Sequence, residues 1–459
     1  MRIHAADIIK KESEEVELKG WVHARRDHGK LVFIDLRDRS GLVQVVFGPD
    51  VPQAGELRLE YVIAVKGSVK KRPPAMVNDE IPTGQYEVGA KHLEILSVSE
   101  ASPISVDTDG YEIDEEARMK YRYLDLRRER MKKNLLLRDK VATLVRDYLH
   151  KADFIEVETP MLTKTSPEGA RDFLVPSRLQ PGKFYALPQA PQQYKQLLMV
   201  AGIERYFQLA RAMRDEDLRG DRQFEHTQID LEMSFVKERD VLDLVEGLMT
   251  HIAESCGKKV WKKPFPVFTH EEAIKKFGAD KFDLREDKKD QSAMAFAWVI
   301  DFPLFELDEE SKKYTFAHNP FSAPKEEHVE KLLKGEDLGN LRAQQYDLVC
   351  NGYELASGGV RISDPKVQRK VFEIMGLTPA EIESRFGHII KAYEYGAPPH
   401  AGMAPGFDRL IMLLANEPNI REVIAFPVAA SGQTSVMDAP SEVDKRALDE
   451  LGLELKKKK

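Results

Sequence analysis

The sequence predicts an α+β protein of two folded parts: a small five-stranded barrel over residues 1–106, and a larger domain over 131–459 in which an antiparallel sheet is flanked by helices. Three observations carry this. Five runs of alternating apolar and polar residues, bounded by Gly, Pro and charged turns, fill the N-terminal part. Residues 107–130 are rich in Asp and Arg with little apolar content, which fits a hinge between domains. Beyond them strands and helices mix without the regular βαβ rhythm of a doubly wound sheet. At 459 residues the chain is also too long for one ordinary core.

The barrel strands are read in VELKGWVHARR, KLVFIDLRD, GLVQVVFGP, EYVIAVKGSVKK and QYEVGAKHLEILSVS. In the second, Val32, Ile34 and Leu36 share a face and put Phe33 on the other. In the third, Val43, Val45 and Phe47 share a face and expose Gln44. An aromatic ring and an amide presented together suit unpaired bases, which stack on rings and are read by amides. After the hinge, Leu137, Val141, Leu144, Val145 and Tyr148 recur at helical spacing. A strand FIEVETP follows, which Pro160 cannot continue as an inner ladder. Residues 211–234, RAMRDEDLRGDRQFEHTQIDLEMS, read as strand, charged loop and strand. Ile229, Leu231 and Met233 lie on one side of the second strand, Asp230 and Glu232 on the other. Such a hairpin can hold a phosphate chain, because guanidinium forks match phosphate oxygens where Lys gives a point charge.

Composition excludes several classes. With 42% apolar and 8% aromatic residues it is an ordinary globular composition. Cys256 and Cys350 have no zinc or disulfide spacing and fit a reducing cytoplasm. No signal core or membrane-length apolar run occurs, so a cytoplasmic protein without a membrane partner is expected. A net charge of -8 confines nucleic-acid contact to local strips such as Arg25, Arg26 and Lys30. Neither a P-loop nor a Rossmann glycine fingerprint is present.

Three segments occur in a telling order: the strand ending at Thr159-Pro160, the R-x-E hairpin at Arg214 to Glu216, and Gly402 to Arg409 (GMAPGFDR) opening an apolar helix. Together they resemble the ordered signatures of class II aminoacyl-tRNA synthetases. YRYLDLRR at 121–128, TKTSPEGARDFLVPSR at 163–178, FYALPQAPQQYKQLLM at 184–199 and APPHAG at 397–402 narrow the resemblance to bacterial aspartyl-tRNA synthetases, from Gly20 to Val443. That resemblance implies an oligonucleotide-binding (OB-fold) barrel, a class II catalytic domain, and ligation of L-aspartate to tRNA with ATP and Mg2+. It also implies a homodimer, through the strand containing Pro160, whose exposed edge two-fold pairing would cover.

Roles are carried over residue by residue. Arg214 would hold the α-phosphate and the reacting carboxylate, Glu216 the adenine amino group, and Arg409 the γ-phosphate. Asp215, Gln223, His226, Glu354, Gly406, Phe407 and Asp408 complete the expected ATP site. Lys195 and Arg361 match the pair that binds the aspartate side chain, and Arg361 can do so in a two-point fork. Glu168, Gln192 and Asp230 surround the ammonium group, and His318 belongs to a mobile loop over the substrate. Asp347 and Glu354 could share a hard cation with phosphate oxygens. Arg26, Phe33, Gln44 and Glu87 match residues that meet the anticodon.

The chain departs from the bacterial pattern in places. The extra domain usual between the segments matching FDLRED and AFAWVIDFP is reduced to a short linker near 283–294. Asn319 replaces a histidine, Ala190 a serine, and ELASGGVR at 354–361 a Gly-Gly-Gly-Ser loop; His226 stands where an aromatic ring, usually Phe, stacks on adenine. In the anticodon barrel, His28 and Ala75 match enzymes that charge both tRNA(Asp) and tRNA(Asn), where strict enzymes tend to carry Leu and a Lys or similarly bulky polar group. The expectation is therefore aspartylation of tRNA(Asp) and also tRNA(Asn). The alternatives are a strict tRNA(Asp) enzyme, an asparaginyl enzyme, against which Lys195 argues, and a non-catalytic tRNA-binding relative.

Overall fold

The computed structural model describes residues 2–165, 169–308 and 313–456 and divides into two compact units, Met1–Ala117 and Arg118–Lys459. In the first unit, β1 (Glu15–His28), β2 (Leu31–Asp38), β3 (Gly41–Phe47), β4 (Val62–Lys71) and β5 (Tyr86–Ser97) close into a barrel in the order β1-β2-β3-β5-β4. Strand alternation sets its inside. Ile34 and Leu36 of β2 and Val43, Val45 and Phe47 of β3 are buried, while Phe33 and Gln44 between them are only half-buried. Gly29 takes a left-handed φ of 63° in the two-residue turn joining β1 to β2, a conformation that costs glycine little.

The second unit is built on an eight-stranded sheet. Its members are β6 (Ile155–Glu156), β7 (Arg205–Met213), β8 (Glu225–Ser234), β9 (Val267–Thr269), β10 (Phe296–Ile300), β11 (Gln345–Cys350), β12 (Tyr353–Val360) and β13 (His400–Pro405). Their order is β9-β10-β11-β12-β13-β8-β7-β6. The antiparallel expectation holds for the inner pairs, but the edge pairs β6/β7 and β9/β10 are parallel. In both cases a helix lies between the paired strands in sequence, the crossover that parallel pairing requires. Helices α1 (Glu129–Lys151), α2 (Gln192–Val200), α3 (Glu238–Ser255) and α4 (Phe407–Ala415) position the site. Val145 of α1, Val245 of α3 and Leu410 of α4 share one apolar core with Ile229 and Leu231 of β8. Asp230 and Glu232 alternate to the opposite face, toward α2.

The stretch expected as a hinge is split by the unit boundary. Beyond Ala117 four of its charged residues, Arg118, Arg122, Asp125 and Arg128, are buried: Arg122 donates to Asp125 at 2.7 Å and Arg128 at 2.6 Å, while Arg118 reaches Glu422 at 2.9 Å. These arginines lie in the larger unit because each has a carboxylate or carbonyl partner there. Residues 283–294 are a short turn-rich segment. Among the described residues no helix is long and apolar enough to cross a membrane.

Candidate active site

The hairpin β7/β8, the start of α2, strand β12 and the N-terminus of α4 surround a cavity of about 540 Å³. Of the residues expected at the site, it is lined by Gln192, Lys195, Arg214, Glu216, Gln223, His226, Asp230, His318, Glu354, Arg361, Gly406, Asp408 and Arg409, with the substituted Ala190 and Asn319. Glu168 lies outside the described residues. Asp215, Asp347 and Phe407 do not line it: Asp215 sits 3.6 Å from Arg171, Asp347 is buried and accepts from Gln345 at 3.2 Å, and Phe407 is core, with the Arg138 guanidinium 4.8 Å from its ring centre.

One end is a buried charge cluster. Lys195 Nζ lies 3.0 Å from Asp230 and 3.3 Å from Glu232. Arg361 donates to both oxygens of Glu232, at 2.9 and 3.2 Å. All four side chains are withdrawn from water, so each charge depends on its partners. Burial pushes the Asp230 carboxyl up despite Lys195, whereas Glu232, equally buried, is held below its usual range by Arg361 and Lys195. Asp230 Oδ1 has no hydrogen-bond partner. Room for Glu232 comes from the neighbouring strand, because a Cβ on Gly402 would collide with its Oε2. Two cations that bind a carboxylate in this geometry can bind a second one presented by a ligand.

The other end suits phosphates. Arg409, at the start of α4, donates to Asp221 Oδ2 at 3.0 Å and also to the carbonyl oxygen of Glu354. Arg214 donates from Nε to the Gln189 carbonyl at 3.3 Å, and Arg222 lies 3.5 Å from Glu216. The expected ligand Asp408 is occupied by protein groups: Thr227 N–H donates to it at 2.7 Å and Arg138 takes the other oxygen. It thereby pins α4 to β8. Gln223 accepts from Val428 N–H at 2.9 Å and leaves its buried amide nitrogen unpartnered. His226 is pushed down to about 3 by burial and by Arg214, Arg409 and Arg211, so its ring is a neutral flat surface. Asn319 donates to Ser322 at 3.0 Å and accepts from Phe321 N–H, holding the turn after His318.

Asp347 and Glu354 lie on the paired strands β11 and β12. Burial, then Glu354, raises Asp347 well above the carboxylate range. Lys281 Nζ lies 2.7 Å from Glu354 Oε2. Among the described residues no group of three or more His, Cys, Asp or Glu is placed to hold a metal. Two neighbouring carboxylates are a donor set that would suit a magnesium ion completing its shell with water and phosphate oxygen. Glu232, Asp221, Arg222 and Lys281 are members that sequence reasoning missed. Only Glu232 had a legible signal, its i+2 spacing from Asp230 on one strand.

In the barrel, the expected anticodon residues form a polar row. Arg26 reaches Asp35 at 2.9 Å and Gln44 at 3.5 Å, and Gln44 donates to Glu87 at 2.9 Å. Buried Arg72 lies 3.7 Å from Glu87 and donates to the carbonyl of Met76 at 3.4 Å, tying in the turn that carries Ala75. Phe33 lies across from Arg26, and His28 is exposed at the end of β1.

A buried Lys–Arg pair on a carboxylate beside an arginine-rich end, on a mainly antiparallel sheet that follows a five-stranded barrel, points to a class of ligases. Residues 114–430 match the class II tRNA synthetases of the D, K and N group and residues 16–96 the OB-fold nucleic-acid-binding domain; the chain belongs to the class II tRNA synthetase family. Among its relatives, an aspartate–tRNA(Asp/Asn) ligase of Rubrobacter xylanophilus is 43% identical, over 99% of this chain and 97% of that protein. An aspartate–tRNA ligase of Staphylococcus saprophyticus is 38% identical over 96% and 97%. The first alignment runs over 584 positions against 459 residues here, so the relative carries more than a hundred positions that this chain lacks. Asparaginyl-tRNA synthetase of Pyrococcus horikoshii shares the fold, with a TM-score of 0.74 at 21% identity over 93% of this chain and 98% of that one.

Proposed function

We propose that this chain activates L-aspartate with ATP and transfers it to tRNA(Asp) and tRNA(Asn). The observation that carries the reading is the buried Lys195–Glu232–Arg361 cluster, which opens into the same cavity as Arg214 and Arg409. Names of relatives from two bacteria, one of them Asp/Asn, support it.

Arg361 and Lys195 take the side-chain carboxylate of aspartate, and Asp230, with Gln192, its ammonium group. The α-carboxylate then attacks the α-phosphorus in line. A new P–O bond forms, the α–β bridging P–O bond breaks, and pyrophosphate leaves with the electron pair. Arg214 neutralises the charge shared between carboxylate and α-phosphate, and Arg409 holds the far phosphates. The chain does little covalent chemistry; positioning and charge carry the rate. Magnesium at Asp347 and Glu354 would supply further neutralisation of phosphate oxygens. His226 stacks on adenine while Glu216 accepts from its amino group. In the second step the terminal ribose hydroxyl attacks the aspartyl carbonyl and AMP leaves. Asparagine is rejected because its amide cannot replace a carboxylate between two buried cations.

A homodimer through the segment around Pro160 and a cytoplasmic location belong to the same reading. Exposed Ile155, Met161 and Leu162 support the first. Amino-acid-dependent exchange of labelled pyrophosphate into ATP tests the reading: exchange with aspartate alone is expected, and exchange stronger with asparagine or lysine refutes it.

A further inference from the structure

Lys281 is a cation of the cavity that none of the roles above uses. It lies between the helix His270–Phe277 and the short segment 283–294, and its ammonium group is 2.7 Å from Glu354 Oε2. Arg409 touches the same residue from its backbone side, donating to the Glu354 carbonyl. The two cations thus converge on one residue of β12, where the proposed phosphate end meets the carboxylate pair.

Resting on the proposed function, we propose that Lys281 is a phosphate-binding residue of this site, shared between Glu354 and the β- and γ-phosphates of ATP or the leaving pyrophosphate. Three observations argue for it. Arg409 and Arg222 at that end are each already paired with one acid, Asp221 and Glu216, while a triphosphate brings several negative charges. The Lys281–Glu354 pair is partly open to solvent, with 40% and 30% side-chain exposure, and exposed ion pairs exchange partners at little cost. A lysine ammonium is a point charge on a flexible stem, suited to phosphates that shift as pyrophosphate departs, where an arginine fork is suited to a fixed one. Glu354 cannot give the same carboxylate oxygen fully to an ammonium group and to a divalent cation, so Lys281 and the cation compete for it.

The test uses the full chain with Lys281→Gln and Lys281→Arg. Calorimetric titration with a non-hydrolysable ATP analogue and magnesium, without amino acid, should show binding weakened roughly tenfold or more in Lys281→Gln, as for loss of one hydrogen bond to a charged group. Lys281→Arg should restore most of it. Electron paramagnetic resonance titration with manganese, without nucleotide, should show tighter metal binding in Lys281→Gln because the competing ammonium is gone. Equal analogue affinity in wild type and Lys281→Gln overturns the proposal, as does a loss in Lys281→Arg as large as in Lys281→Gln. Both measurements omit the amino acid, so a wild type that fails aspartate-dependent exchange while binding the analogue refutes the aspartate reading and leaves Lys281 decided by its own titration.

Discussion

Arg361 donates to Glu232 at two points, Nε to Oε1 at 2.9 Å and Nη2 to Oε2 at 3.2 Å, and Lys195 closes on the same carboxylate at 3.3 Å. The cluster is balanced only as a unit: two cations, Glu232, and Asp230 with one unsatisfied oxygen. Glu232→Gln leaves Arg361 buried beside a neutral amide and should cost about 3 kcal/mol, the scale for breaking one side of a buried pair. Denaturant unfolding measures this, and a variant as stable as wild type would show that the pair contributes nothing net.

Arg361→Lys keeps the charge but loses the fork. It should lower kcat/KM for aspartate by about tenfold to a hundredfold, the range for one or more charge-assisted hydrogen bonds, with KM for ATP little changed. Pyrophosphate exchange at varied aspartate and ATP separates the two. A loss confined to the ATP term would place Arg361 at the wrong end of the site.

Much of this site was legible before the fold. The R-x-E hairpin and the GMAPGFDR segment bring Arg214, Glu216 and Arg409 to one cavity because β8 pairs on its two sides with β7 and β13. The barrel faces followed from period-two alternation alone. What stayed hidden depends on contacts distant in sequence. Asp408 looked like a ligand within its motif, but Thr227 and Arg138 hold it. The arginines after Ala117 looked like a solvated connector, because the carboxylate that buries two of them, Glu422, lies some 300 residues further on.

That same carboxylate sets an acid limit. Burial alone would raise Glu422, yet Arg118 and Arg130 hold it down at about 2, against 4.5 for an ordinary glutamate. A carboxylate depressed on folding stabilises fully above its unfolded pKa and loses that contribution as pH falls through its folded one. The larger unit should therefore lose about 3 kcal/mol from this group between about pH 5 and pH 2. Glu422→Gln should be less stable near neutrality and flatter across that window. Equal slopes of stability against pH in the two proteins would refute the assignment.

His226 gives the opposite kind of prediction, an absence of titration. With its ring held neutral down to about pH 3 by burial and three arginines, ATP affinity should show no histidine step between about pH 5.5 and pH 8. His226→Phe should reproduce the wild-type pH profile, with KM for ATP shifted only a few-fold. A step near the ordinary histidine pKa that is present in wild type and missing in the variant would show that the imidazole ionises in the site.

Under the proposed function, the choice of tRNA falls to the barrel. The acceptors for aspartate and asparagine differ in the third anticodon base, so a barrel with one contact fewer at that base accepts both. His28 ends β1 in the open, beside the left-handed Gly29 turn, and Ala75 projects no long side chain from the turn Pro74–Met76. That turn is joined through Arg72 and Glu87 to Gln44 and Arg26, so a side chain added there would act on the row expected to face the anticodon. One such contact is worth about 1 to 3 kcal/mol of discrimination. Wild type should charge purified tRNA(Asp) and tRNA(Asn) with kcat/KM values within about tenfold of each other. His28→Leu and Ala75→Lys should each raise the preference for tRNA(Asp) by about tenfold or more, leaving aspartate-dependent pyrophosphate exchange untouched because that step does not involve the barrel. A wild-type preference above about a hundredfold exceeds what one missing contact could conceal and would make the enzyme strict.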